Sequence, residues 1–304
     1  MQNIKEHSKT GLCLIITAAT CWGFSSVVLL PRLYNLSTNF VVLMQNLVPL
    51  AIMSCFMFKE YVNVLKLPKK DFFLLSIISL FSGVIGILAI VKALFLVNFH
   101  QLSLVVLVQK IQPIFTITLA SFFLREKVSV RFWLWSIIVL AGIYLITFGL
   151  NLPAVDRKSV FLIACSLSIL SAFSFSINTI VSKYLTASIQ FSTMIFGRFL
   201  LGTIFSIIIC IFSGTIWSFK EMTTNNWIIF LVSFITLGPV SMYIYYYGLK
   251  KVKAMVSSMG ELALPFSVII LDYLINGTQL TLVQWIGSAM IIFGILKIST
   301  EKNK

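Results

Sequence analysis

The sequence predicts an all-α polytopic membrane protein, with ten transmembrane helices arranged as two inverted five-helix repeats. Three observations carry that expectation. Of the 304 residues, 59% are hydrophobic and 11% charged, where a soluble domain carries about 25% charged residues. The apolar residues fall in runs of about 20, the length a helix needs to cross the hydrocarbon core. Finally, a shift of 152 residues lays one half of the chain on the other with proline on proline and tryptophan on tryptophan.

The runs read in order as 11–30, 39–58, 72–97, 102–123, 132–150, 159–182, 190–213, 226–249, 254–275 and 281–298. The connections between them are too short to hold a soluble domain. The opening segment, MQNIKEHSKTGLCLIITAATCWGFSS, has the basic start and small residues of a signal peptide. Cleaving it would leave nine spans and an unpaired repeat, so it is expected to stay as the first span. The five cysteines (Cys13, Cys21, Cys55, Cys165 and Cys210) lie within apolar runs and form no CxxC pair. They read as small buried hydrophobes rather than a disulfide or zinc framework. His7 and His100 have no ligand cluster around them, and no metal or cofactor is predicted.

Lys and Arg number 23 against nine acidic residues, a net charge of +14. In a soluble protein that excess would point to nucleic acid. Here the charges sit in short gaps between apolar runs, so they report topology, and no nucleic-acid partner is expected. With a cytoplasmic N-terminus, the inner segments hold 16 basic residues and the outer ones only Arg32, Arg157, Lys158 and Lys220. The positive-inside rule then places both termini in the cytoplasm, with the protein in a bacterial cytoplasmic membrane.

Under the shift of 152, Pro113 meets Pro265, Trp133 meets Trp285, Ser136 meets Ser288 and Gly142 meets Gly294. The repeats are residues 1–150 and 151–304. Five spans in each half, an odd number, invert one half relative to the other. Many secondary transporters are built this way and bind substrate near the midplane.

The fourth span carries VLVQKIQPIF (106–115), with Gln109, Lys110, Gln112 and Pro113 amid apolar residues. An ammonium at mid-membrane costs about 2.5–3.5 kcal/mol on insertion scales. Pro113 leaves the carbonyl of Gln109 without its helical donor, and Pro265 does the same to Glu261. Gln109 and Glu261 are repeat mates, so each half sets a kink, a loose carbonyl and a polar side chain at one depth. Lys110 and Glu261 are expected to bracket the midplane about 10 Å apart along the normal. Lys110 would take an anionic group, and Glu261 a cationic group or a proton; the alternative is a buried Lys–Glu lock. Arg198 in FGRFLLG reaches a cavity or snorkels. Tyr243 and Tyr247 share a face at four-residue spacing, and Pro239 bends the helix before them. They read as a cavity wall or as an aromatic belt. Trp22 reads as a cavity wall or as part of a close packing seam. The candidate substrate-binding set is therefore Lys110, Glu261, Gln109, Gln112, Arg198, Tyr243, Tyr247 and Trp22, with kinks at Pro113, Pro265 and Pro239.

Three segments, AATCWGFSS (18–26), QPIF (112–115) running into LREKVS (124–129), and ALPFSVIILDYLINGTQL (263–280), resemble the EamA branch of the drug/metabolite transporter superfamily. The resemblance covers nearly the whole chain. Pro113-Ile114-Phe115 and Glu126 match the family's pattern at the fourth span. Gly277-Thr278 stands where Gly-Glu is usual, and SAFSFSIN (171–178) lacks the Trp-Gly of the first repeat. The resemblance implies a cavity lined by the first, third, fourth, sixth, eighth and ninth spans. The expected function is secondary active transport of a small polar metabolite, an amino acid or another charged molecule, by alternating access. A lipophilic-cation exporter and a lipid flippase are the alternatives on this scaffold. No HExxH and no close aspartate pair argue for an enzyme, and Glu261 and Asp272 stand 11 residues apart on one helix. Expected partners are a small-molecule substrate, protons as coupling ion and membrane lipids, with monomer and homodimer both open.

Overall fold

The computed structural model describes residues 2–97, 108–127, 129–151, 159–276 and 281–300. Residues 102–107 of the fourth expected span, Arg157, Lys158 and Gly277-Thr278 lie outside them. Among the described residues every regular element is helical. In chain order the α-helices are α1 (Gln2–Phe24), α2 (Thr38–Phe56), α3 (Lys59–Leu65), α4 (Lys69–Leu80), α5 (Ile87–Leu96), α6 (Gln112–Phe123) and α7 (Val130–Phe148). They continue as α8 (Ser159–Leu185), α9 (Phe191–Phe212), α10 (Thr224–Thr236), α11 (Pro239–Lys251), α12 (Ala254–Gly260), α13 (Ala263–Asn276) and α14 (Leu282–Thr300).

Six stretches are long and apolar enough to cross a membrane: Thr38–Phe56, Lys69–Leu96, Val130–Phe148, Leu162–Leu185, Phe191–Phe212 and Thr224–Lys251. Lys9–Phe24, Gln112–Phe123 and Leu282–Ile298 are apolar but shorter. Lys69–Leu96 stays continuous through a π-helical segment, Phe81–Gly86, that joins α4 to α5.

Local chemistry sets the ends. Ser129 caps α7 by accepting the Phe132 N–H at 3.0 Å. A capping box of Thr223 and Asn226 starts α10. Pro239 opens α11 at a position where a missing N–H costs nothing, so the bend expected there is a break between two helices. The α6 helix ends with Arg125 in the left-handed region at φ 52°, and the Glu126 N–H closes back on the Ala120 carbonyl at 3.2 Å. That turn aims Glu126 at the second half of the chain. Its carboxylate accepts the Ala254 N–H at 2.9 Å and the Met255 N–H at 3.2 Å, at the first turn of α12. From the other side, Lys183 at the end of α8 donates to the carbonyls of Leu249, Lys250 and Val252, where α11 ends. The link between α11 and α12 is therefore held at both of its ends.

Packing pairs α7 with α14, α1 with α11 and α13, α2 with α9, and α8 with α4, α5 and α6; α6 also meets α12. Glycine permits the closest approaches. A Cβ on Gly142 would lie 2.8 Å from the Gly287 carbonyl oxygen, and one on Gly287 would lie 2.7 Å from the Gly142 oxygen. Small residues at such crossings let helix backbones touch, which drives association where lipid offers no hydrophobic gain. Gly142→Leu is therefore expected to destabilise the protein by about 3 kcal/mol, the upper part of the overpacking range, because a backbone carbonyl cannot move aside. A marked fall in the melting temperature of the purified protein checks this.

Candidate functional site

The fourth and ninth expected spans are not continuous helices. Lys110 and Ile111 form a turn ahead of α6, and Glu261 and Leu262 form one between α12 and α13. Both breaks lie just before the matched prolines, and both are tightened by three-residue bonds. The Ile114 N–H reaches the Ile111 carbonyl at 2.9 Å, and the Leu264 N–H reaches the Glu261 carbonyl at 3.1 Å. The second of these supplies the donor that Pro265 withholds. Interrupted helices at membrane depth persist where protein or a cavity satisfies the freed groups.

Glu261 sits at the centre of a convergent set of donors. Its Oε1 accepts from Tyr245 Oη at 2.8 Å, Ser257 Oγ at 3.3 Å and Thr179 Oγ1 at 3.5 Å. Its Oε2 accepts from Gln112 Nε2 at 2.8 Å. Four helices, α6, α8, α11 and α12, meet here at the α12–α13 break. Ser176, one turn before Thr179, donates to the Gln112 carbonyl at 3.0 Å and fixes the start of α6. The Trp22 ring lies 5.2 Å from that of Tyr245, and its Nε1 donates to Ser241 Oγ at 3.2 Å. The site thus joins an aromatic pair, Trp22 and Tyr245, to a cluster of polar donors.

Lys110 is buried, with 6% of its surface exposed. Its charge acts on the Glu261 carboxylate without a direct ion pair. Among the described residues its ammonium makes no hydrogen bond, and it is not one of the fully enclosed side-chain atoms that lack a partner. The two charged groups are therefore unequal. Glu261 is filled by protein donors, whereas Lys110 keeps three N–H bonds to offer.

The structure gathers Trp22, Gln112, Lys110 and Glu261 from the expected set and sets the others apart. Gln109 turns away and donates to Ser171 at 3.2 Å, so the partner of Glu261 is Gln112 rather than its repeat mate. Arg198 is 4% exposed inside the bundle, where it donates to Ser82 Oγ at 3.1 Å. Tyr243 and Tyr247 are 51% and 42% exposed on the outer face, each packed edge-on against Phe191. A 3.6-residue period explains the difference. The inward face of α11 carries Ser241, Tyr245 and Gly248, and Gly248 approaches Gly11 so closely that an added Cβ would lie 2.7 Å from its carbonyl. The small residues beside Tyr245 mark the packed face. Ser257, one turn before Glu261, could have been found by the same spacing, whereas nothing in the sequence singles out Thr179 on α8. Among the described residues no group of three His, Cys, Asp or Glu could hold a metal.

The chain is similar to known proteins. The model of the EamA-like transporter family matches residues 9–148 and again residues 162–300. The riboflavin transporter ImpX of Fusobacterium nucleatum is 41% identical over 295 residues, covering 97% of this chain and 98% of that protein. The uncharacterized transporter YetK of Bacillus subtilis is 26% identical over 241 residues, covering 78% of this chain and 71% of that one. A protein of known crystal structure superposes with a TM-score of 0.69 at 17% identity, over 99% of this chain and 97% of that one, and shows the fold. The chain belongs to the EamA-like transporter family of the drug/metabolite transporter superfamily, and it is a multi-pass membrane transporter rather than an enzyme.

Proposed function

We propose that the protein carries riboflavin, or a flavin-like planar heterocycle, across a bacterial cytoplasmic membrane by alternating access. The observation that carries this reading is the 41% identity, over 97% of the chain, to a protein named as a riboflavin transporter. The site chemistry agrees with it. A flat ring with polar edge groups suits the Trp22–Tyr245 wall, and ring carbonyls are acceptors for the Lys110 ammonium, which has no hydrogen bond among the described residues. Proton coupling would act at Glu261. A protonated carboxyl becomes a donor, which sets it against the Gln112 amide and loosens the contact between α6 and the α12–α13 break.

The scaffold proposed is ten spans in two inverted repeats, 1–150 and 151–304, with both termini cytoplasmic. Three observations support it. The family model matches each half separately. Both broken helices break next to matched prolines. The packing pairs also exchange under the shift of 152: α1 on α11 corresponds to α8 on α5, and α1 on α13 to α8 on α6. Even the Gly142–Gly287 contact has its counterpart, for a Cβ on Gly294 would lie 3.3 Å from the Trp135 carbonyl oxygen.

A second reading, an anionic or amphoteric metabolite such as an amino acid, rests on Lys110 having no ion pair among the described residues. Uptake by proteoliposomes separates the two. Radiolabelled riboflavin is expected to accumulate, to be blocked by excess unlabelled flavin but not by amino acids, and to respond to an imposed pH gradient. Uptake indistinguishable from empty vesicles, with amino acid uptake in its place, would overturn the flavin reading.

A further inference from the structure

We infer that the groove between the α8–α9 link and the end of α11 is a binding site for the phosphate headgroup of an anionic phospholipid. It is a cavity of about 440 Å³ lined by Thr186–Ser192, Tyr243 and Lys250. It lies away from the Glu261 network and shares no residue with it. Lys250 is exposed at the end of α11, with its ammonium 5.5 Å from the Phe191 ring. Among the described residues no carboxylate pairs with it. No acidic residue lines the groove. Gln190 and Ser192 add an amide and a hydroxyl whose side chains make no hydrogen bond among the described residues. Three donors around a cavity without an acid are complementary to a phosphodiester, and basic pockets at the cytoplasmic ends of transmembrane helices hold anionic headgroups.

A lipid, rather than a soluble anion, follows from what adjoins the groove. Val240, Tyr243 and Tyr247, at spacings of three and four, form one exposed stripe along α11. Seven residues separate Tyr243 from Lys250, about 10 Å along the helix. A phosphate at Lys250 would therefore lay its acyl chain along Tyr243 towards Val240. This gives the two outward tyrosines a role outside transport: they line a lipid track. Under the proposed topology the site lies in the inner leaflet, although binding in detergent does not depend on that orientation.

The test is a melting curve of delipidated protein in detergent with added dioleoylphosphatidylglycerol, dioleoylphosphatidylcholine or inorganic phosphate. Saturating phosphatidylglycerol is expected to raise the melting temperature by about 5 °C, with little effect from the other two. Lys250→Gln and Ser192→Leu, the second of which fills the groove, are expected to lose most of that rise, and Lys250→Arg to keep it. Riboflavin uptake is read separately, on the same purified proteins reconstituted in proteoliposomes, so a failure of the flavin reading leaves the lipid result intact. Equal shifts from both lipids, a shift from phosphate alone, or a full phosphatidylglycerol shift in both Lys250→Gln and Ser192→Leu would overturn the inference.

Discussion

Glu261→Gln is expected to lose uptake and to lower the melting temperature together. The carboxylate accepts from Tyr245, Ser257 and Thr179 on one oxygen and from Gln112 on the other. An amide has one acceptor oxygen and one NH2 group, so it keeps the hydroxyl donors only if the Gln112 amide turns to accept, and every remaining bond loses its charge assistance. A hydrogen bond to a charged group contributes about 1.5–3 kcal/mol. Glu261 is partly exposed, so the lower end applies to each bond. Loss of two such bonds still amounts to about 3 kcal/mol, or roughly a hundredfold in the equilibrium that needs them. The damage falls where α6 meets the α12–α13 break, which couples the two halves. Uptake by proteoliposomes and a melting curve on one preparation check both parts. Wild-type uptake in this variant would remove Glu261 from the mechanism.

Lys110→Met is expected to lose uptake as well, with the opposite effect on stability. Its ammonium is buried without a hydrogen bond among the described residues, and placing such a charge at mid-membrane costs about 2.5–3.5 kcal/mol. Methionine keeps the length and volume while removing the charge. The melting temperature is expected to hold or rise while transport falls, the mark of a residue retained for function at the expense of stability. A fall as large as that of Glu261→Gln would instead make Lys110 and Glu261 a structural lock. The pair of variants thus separates a ligand-binding cation from a structural one.

Much of this architecture is legible in the residues. Apolar runs and proline spacing locate the helices, and Pro113 and Pro265 locate both breaks. What the sequence could not supply is which polar groups meet. Offset arithmetic makes Gln109 and Glu261 repeat mates but says nothing of contact, and it is Gln112, just past the turn at Lys110–Ile111, that meets Glu261. In YIYYYG four-residue spacing selects Tyr243 and Tyr247. The face that packs is chosen by small neighbours, Ser241 and Gly248, and so presents Tyr245. Arg198 illustrates a different limit. A single charge in an apolar helix gives no hint of whether its partner is a ligand or a hydroxyl on another helix, here Ser82. The Glu126 clamp on α12 depends on the left-handed turn at Arg125, a conformation that the residue type disfavours.

The most direct test of the central claim, that substrate is held between the two broken helices, is an equilibrium titration of purified protein with riboflavin, read by flavin fluorescence. The expected result is saturable binding that weakens by more than about tenfold in Lys110→Met and Glu261→Gln and is unchanged in Tyr243→Phe and Tyr247→Phe. Binding that survives both site substitutions, or that depends on the outward tyrosines, would contradict it.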